Sequence, residues 1–345
     1  MNGSLARIVR LLSRSFGWVP RDVPGVMWLA EFFCETPGSW LFRGPTTTWL
    51  SDGALTAQLP RSYRIFARYC SWQNGDLVGA ELLLRFIIWV RRIAGRESAI
   101  RLDVGGKTVF VDLSDPRFLT IPHELTDGLP IVLKRFLSPG DTFVDVGSNH
   151  GTFAISAAEL VGPEGLVIAI EPQARLAELI RRSLELCGVP FIVHNVACGD
   201  AEGHASLYVP CASSGASSLH RAYSGVCRHR MATVPITRLD DLVSPGRLPG
   251  RVFMKLDIEG NEVRCLTGAR EFLAQSRPVI LLEVNSIALE AAGHSVAELI
   301  ALLRDAGYDR YLGGPDCDEE RVLTDRIADS NIVAIPCLAD APCEP

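Results

Sequence analysis

The sequence predicts an α/β fold: a doubly wound, mostly parallel sheet of seven strands, preceded by a mainly helical extension and a β-hairpin. Three observations carry this reading. Between residues 141 and 336, short and almost wholly apolar segments alternate with amphipathic ones, as strands covered on both faces by crossover helices must. Apolar residues make up 48% of the chain, which is ample for the core such a sheet needs. A glycine-bearing turn, DVGSNHG at 145–151, joins the first of these strands to the first helix. At 345 residues and about 150 residues per domain, the chain has room for about two domains.

Taken in order, residues 1–97 are rich in Trp, Phe and Arg, with breakers at Pro20, Pro24, Pro37 and Pro60. Helical periodicity is legible at 5–16, 61–72 and 77–94, and this extension offers no chemistry. Residues 98–140 form a prelude, in which AIRLDV and KTVFVDL alternate around Gly105-Gly106 as a hairpin. A short helix follows at 130–137. The strands expected in the third zone are DTFVDVG, LVIAIEP, FIVHNVAC, RVFMKLD and PVILLEVN, with late edge strands at 308–312 and 331–335. Helices are expected at 152–161, 174–187, 261–274 and 296–306, and residues 337–345 are a tail. The stretch 211–230 reads as a loop able to close over a ligand, through His220, Arg221, His229 or Arg230.

Composition narrows the function. A net charge of −6 disfavours a general nucleic-acid binder, which needs clustered basic charge. The ten cysteines include no C-x-x-C pair, and Cys211, Cys227 and His229 match no zinc spacing, so scattered thiols in a cytoplasmic protein are expected. The first residues lack a signal-peptide cleavage site, and Leu82–Ile93 is too short to span a bilayer. Arg7, Arg10 and Arg14 would form a basic stripe on a helix, which fits either peripheral membrane contact or packing on the body.

The chemistry concentrates at strand tips, where ligands of such sheets bind. Gly147 lets the backbone turn sharply against a ligand, and Gly151 lets the helix begin close to the strand. Asp145 offers a carboxylate to a cationic or amine-bearing ligand. Glu171 ends the next strand, placed to hold the two hydroxyls of a ribose. Position 149 is Asn, where a pyrophosphate-binding loop usually has its middle glycine. The loop therefore suits a nucleoside with no phosphate and a positive group, as in S-adenosylmethionine. A third signal, FMKLDIEGNE at 253–262, sets Asp257 and Glu259 at another strand tip. There they could orient an acceptor hydroxyl, take its proton or bind a divalent cation. Glu262 fits the start of a helix, where its charge suits the dipole. Glu283 and Asn285 end a neighbouring strand, placed to orient a substrate or to cap a helix.

In this order and at these separations, DTFVDVGSNHGTF, AIEP, TVPITRLDDL, FMKLDIEGNE and ILLEVN resemble the FkbM family of S-adenosylmethionine-dependent methyltransferases. The likeness covers roughly 100–336 and includes GASSL at 215–219. It implies a Rossmann-like class I methyltransferase fold and O-methylation of a hydroxyl on a sugar, glycan or secondary metabolite. It implies that Asp145, Gly147, Ser148, Asn149 and Gly151 line the cofactor's amino-acid and sugar portion, and that Glu171 and Pro172 lie at its ribose. Asn195 and Val196 would lie near the adenine. Asp257 and Glu259 would face the acceptor, Asp257 touching cofactor as well, with His220, Glu283 and Asn285 on the substrate side. His150 departs from the family pattern, which commonly has an aliphatic residue there. Two rival readings are a nicotinamide-dependent oxidoreductase, disfavoured by the absence of a three-glycine loop, and a non-catalytic binding protein, disfavoured by acids kept at three strand tips.

Overall fold

The computed structural model describes residues 50–72, 77–95, 98–128, 130–210, 213–221, 229–244, 246–314, 319–321 and 330–337. The helix expected at 5–16, nine of the twenty residues of the loop at 211–230 and the tail beyond 337 lie outside the described residues. The chain divides into two compact units, 1–98 and 99–345.

In the first unit, the helices Arg61–Trp72 and Leu77–Ile93 bury Tyr63, Phe66, Leu84 and Ile87. The short helix Gly53–Ala57 precedes them, capped by Asp52, whose carboxylate accepts from the Ala54 and Leu55 amides.

The second unit opens on the predicted hairpin, β1 (Ala99–Val104) and β2 (Lys107–Asp112), antiparallel in register. Its β2 docks on the helix Ala174–Leu184: the Phe110 amide donates to Ser183 Oγ at 2.9 Å, and the Arg182 guanidinium lies 4.0 Å from the Phe110 ring centre. The helix Pro130–Phe136 leads into the main sheet.

That sheet holds eight strands rather than seven: β3 (Thr142–Val146), β4 (Leu166–Ile170), β5 (Phe191–His194), β9 (Val252–Leu256), β10 (Val279–Val284), β11 (Tyr308–Gly313), β12 (Glu319–Arg321) and β13 (Ser330–Pro336). Their order is β12-β11-β13-β10-β9-β3-β4-β5, with β10, β9, β3, β4 and β5 parallel and β13 antiparallel to both neighbours. The added strand, β12, is three residues long and carries Glu319, Glu320 and Arg321, without the apolar run that marks a strand in sequence. β13 is not at the edge, because it inserts between β10 and β11. β3 and β9 are buried along their whole length, as are four of the five residues of β4, as central strands of a two-faced sheet must be.

Three expectations on the elements are corrected. FIVHNVAC is not one strand. The chain leaves β5 at Asn195, whose side-chain amide donates to the Glu171 and Pro172 carbonyls at 2.9 and 3.0 Å, and restarts as β6 (Ala197–Gly199) in a second sheet. That sheet, β6-β8-β7, adds β7 (Gly203–Pro210) and β8 (His229–Arg238), which the sequence reading left out. His229 and Arg230 begin β8 rather than a loop. The helix expected at 261–274 is two, Glu262–Thr267 and Arg270–Ser276. It breaks at Gly268, which passes so near β6 that a Cβ would stand 2.1 Å from the Gly199 carbonyl oxygen.

From β3 the chain steps outward to β4 and β5, then returns to place β9 on the other side of β3. The strand order therefore reverses between β3 and β9, and the crevice outside their carboxyl ends is where such a sheet takes its ligand.

Candidate active site

A cleft of about 890 Å³, counted with its open mouth, lies at this reversal point. It is within the usual range for small-molecule and cofactor sites.

The turn after β3 forms its floor. Gly147 has φ 81°, and a Cβ there would stand 2.0 Å from the Asp257 carbonyl oxygen, so only glycine lets this turn meet the loop after β9. Asn149 takes the left-handed region at φ 50°. Its amide donates to Glu171 Oε2 at 2.9 Å, and its side chain donates to Ser214 Oγ at 3.0 Å. The Gln173 amide supplies Glu171 Oε1 at 2.9 Å. Glu171 is buried, and that burial lifts its carboxyl to about 7 even though these amides favour the ionised form.

Asp145 lies beneath the turn, fully buried, and neither carboxylate oxygen has a hydrogen-bond partner. Burial lifts it to about 6; the nearest cation, Lys255 Nζ, stands 3.8 Å from Oδ1 and holds it back from rising further.

Lys255 is the residue the sequence reading passed over. It projects from a strand that is otherwise Val, Phe, Met and Leu, and that is the signal that could have found it. Its ammonium lies 3.0 Å from Asp257 Oδ2, donates to the Gly147 carbonyl at 3.2 Å and faces the Phe153 ring at 5.1 Å. Burial opposes its charge, but Asp257 and Asp145 together hold its pKa above the ordinary value.

Beyond Lys255, Asp257, Glu259 and Glu283 bring carboxylate oxygens within 4.8 Å of one another, a set that could hold a cation. Burial works against ionising Asp257, yet the Lys255 ammonium keeps its carboxyl below the usual range. Burial and the neighbouring Asp257 charge drive Glu283 up to about 10, so at neutral pH the pair shares one proton. Glu259 has φ 52° and accepts at Oε2 from Asn285 Nδ2 at 3.3 Å, while Asn285 Oδ1 caps the following helix at Ala288. Glu262 begins its helix and folds back to accept from the Ile258 and Gly260 amides, which fixes the Glu259 loop.

Of the residues singled out from sequence, Gly147, Ser148, Asn149, Glu171, Pro172, Val196, Asp257 and Glu259 line the cleft. Asp145 lies under its floor, and Gly151, at φ 75°, packs near Ile180 at the start of its helix. Asn195 holds the Glu171–Pro172 backbone from outside the lining. His220 faces Asn261 Oδ1 at 3.3 Å, and Glu283 and Asn285 stand behind Glu259.

Two walls hold residues not singled out from sequence, although the second belongs to the stretch expected to close over a ligand. Arg117 and Glu124 of the prelude line the cleft as an ion pair at 2.5 Å, tied to the main body where Thr152 Oγ1 donates to Glu124 Oε2 at 2.9 Å. Gly215, Ser217 and Leu219 of the GASSL stretch form the other, and Ser218 Oγ donates to the Glu259 carbonyl at 2.7 Å. His150 also lines the cleft. Its Nδ1 lies 2.7 Å from Asn149 Oδ1, its buried Nε2 has no partner, and burial lowers its pKa, so the ring is neutral.

Residues 145–310 match the family described as the methyltransferase FkbM domain. The sequence of this segment is thus similar to that family's. Part of the chain also resembles the protein-L-isoaspartate O-methyltransferase of Aeropyrum pernix, 36% identical over 26% of this chain and 36% of that protein. A similar protein of the same description from Archaeoglobus fulgidus is 32% identical over 24% of this chain and 33% of its own length. The chain thus spans about a third of the curated relatives it matches. Among solved structures, the methyltransferase FkbM from Methylobacillus flagellatus aligns at 15% identity and a TM-score of 0.35, over 63% of this chain and 54% of that one. The matched segment begins at Asp145 and takes in every cleft wall except the prelude. Among the described residues, no helix is long and apolar enough to cross a membrane.

Proposed function

We propose that the cleft binds S-adenosylmethionine and that the chain transfers its methyl group to a hydroxyl of a small-molecule or glycan acceptor. One observation carries the reading: a single cleft gathers the Gly147 turn, the Glu171 carboxylate and the Lys255–Asp257 pair within a methyltransferase domain.

The residues fit this cofactor. Gly147 leaves space where a side chain would close the floor, the Glu171 carboxylate at the neighbouring strand tip would accept from vicinal hydroxyls, and Asp145 would add buried negative charge that favours a cationic ligand. When bound, the cofactor supplies an electrophilic methyl for in-line displacement. The chain's own part is position and electrostatics. Lys255 holds Asp257 ionised, so Asp257 can accept a hydrogen bond from the acceptor hydroxyl and align its oxygen. Glu259, aimed by Asn285 and by its own strained backbone, takes or relays the departing proton, and Glu283 keeps its proton and steadies Asp257.

Calorimetry against S-adenosylmethionine and NAD tests the cofactor, with heat expected only from the first; heat only from NAD would install an oxidoreductase instead. Asp257→Ala is expected to abolish turnover with the fold intact, and full activity in that variant would remove Asp257 from the mechanism.

A further inference from the structure

The two units carry opposite charge. Residues 1–98 contain 12 arginines, no lysine and seven carboxylates, a formal +5. The remaining residues hold 22 basic and 33 acidic side chains, a formal −11. All six tryptophans of the chain also fall in the first unit. Arginine with tryptophan and no lysine is poor material for a merely soluble surface, but it matches the boundary between lipid headgroups and acyl chains.

The described helices give this composition a shape. On Arg61–Trp72, the exposed residues Arg61, Arg64, Ile65 and Arg68 recur at the spacing of one helical face, three guanidinium groups around an isoleucine that is 55% exposed. On Leu77–Ile93, Phe86, Val90 and Ile93 form a stripe at intervals of four and three, with 47, 42 and 68% of each exposed, while Leu84 and Ile87 face inward. Three large apolar side chains in line are more than the scattered exposure of an ordinary surface. With Glu81, Arg85, Arg91 and Arg92 among its 17 residues, the helix is not long and apolar enough to cross a bilayer, so the stripe would lie along one.

We propose that the 1–98 unit is a peripheral docking surface for anionic lipid bilayers. The arginine face of the first helix supplies attraction to the headgroups, and the Phe86–Val90–Ile93 stripe of the second supplies shallow insertion. An acidic protein or a nucleic acid would satisfy the arginines but would leave the aliphatic stripe in water, so charge and apolarity together favour lipid. The proposal is independent of the methyl-transfer reading.

The test is co-sedimentation of the full chain with vesicles of phosphatidylglycerol or of phosphatidylcholine, alongside tryptophan emission, which reports this unit alone. The expected result is sedimentation and a blue shift with phosphatidylglycerol only, both weakened by added salt. At about tenfold per one to two lost headgroup contacts, Arg61→Glu, Arg64→Glu and Arg68→Glu together should weaken binding about a hundredfold. Phe86→Ser with Ile93→Ser should weaken it about tenfold, with melting curves and methyl transfer unchanged in both variants. If the triple variant does not fold, the Phe86/Ile93 pair decides. Equal binding to both vesicle types, binding to neither, or capture of an acidic protein or RNA without any vesicle binding would each overturn the proposal.

Discussion

The two rims of the cleft treat buried carboxylates in opposite ways. At the tips of β3 and β4, burial outweighs the Lys255 charge 3.8 Å from Asp145 and the amides at Glu171, and the two carboxyls rise to about 6 and about 7. After β9, Asp257 is held below its ordinary value, because Lys255 stands 3.0 Å away. On one rim burial prevails; on the other the same buried lysine, closer by, prevails over it. Burial alone leaves a group that titrates near neutrality, whereas a partnered one stays charged.

The largest effect is expected at the point where the rims touch. Gly147→Ala forces a Cβ against the Asp257 carbonyl at a positive φ. We expect a loss above about 3 kcal/mol in chemical denaturation and no detectable cofactor heat. Next in size is Lys255→Met, which leaves two acids without their cation. A cost of about 3 kcal/mol is expected, with an upward shift of the acidic limb of the pH–rate profile as Asp257 loses its partner. Intact stability with an unmoved limb would show that the rims do not share this lysine.

Glu171→Gln sharpens the contrast from the other side. Folded Glu171 binds its proton more tightly than the unfolded chain does, since its carboxyl sits at about 7 against an ordinary 4.5. Its contribution to stability is therefore full below pH 4.5 and is lost as pH rises through 7, by up to about 3 kcal/mol. Asp145 adds in the same direction. The variant should flatten this slope in melts between pH 5 and pH 8 while weakening cofactor binding. An unchanged slope would place the titration elsewhere. The smallest effect is expected from Asn195→Ala, about 1 kcal/mol for two lost hydrogen bonds to backbone, with a modest rise in the cofactor dissociation constant as the Glu171–Pro172 turn loosens.

The central strands were legible because burial on both faces leaves continuous apolar runs, as TFVDV and LVIAI show. The Gly147 turn, Glu171 and Asp257 were legible because they sit at the ends of such runs. The second sheet was not. β8 alternates only weakly, with residues 230–233 exposed and Pro235 within it, so it lacks the period by which a strand is read. The break at Asn195 was hidden for a different reason: side-chain hydrogen bonds to a turn 23 and 24 residues earlier leave no local pattern. Arg117 and Glu124 escaped because their place in the cleft depends on the prelude folding back onto Thr152, a contact made by distant parts of the chain.

Because β13 lies between β10 and β11, the sheet is completed from its interior by the last of its described strands in chain order. Until residues 330–336 emerge, β10 has an unpaired edge beside the strand tip that carries Glu283, the kind of edge that recruits other chains. A fragment ending at 321 would keep every residue of the cleft and still lack the strand that keeps nascent copies apart.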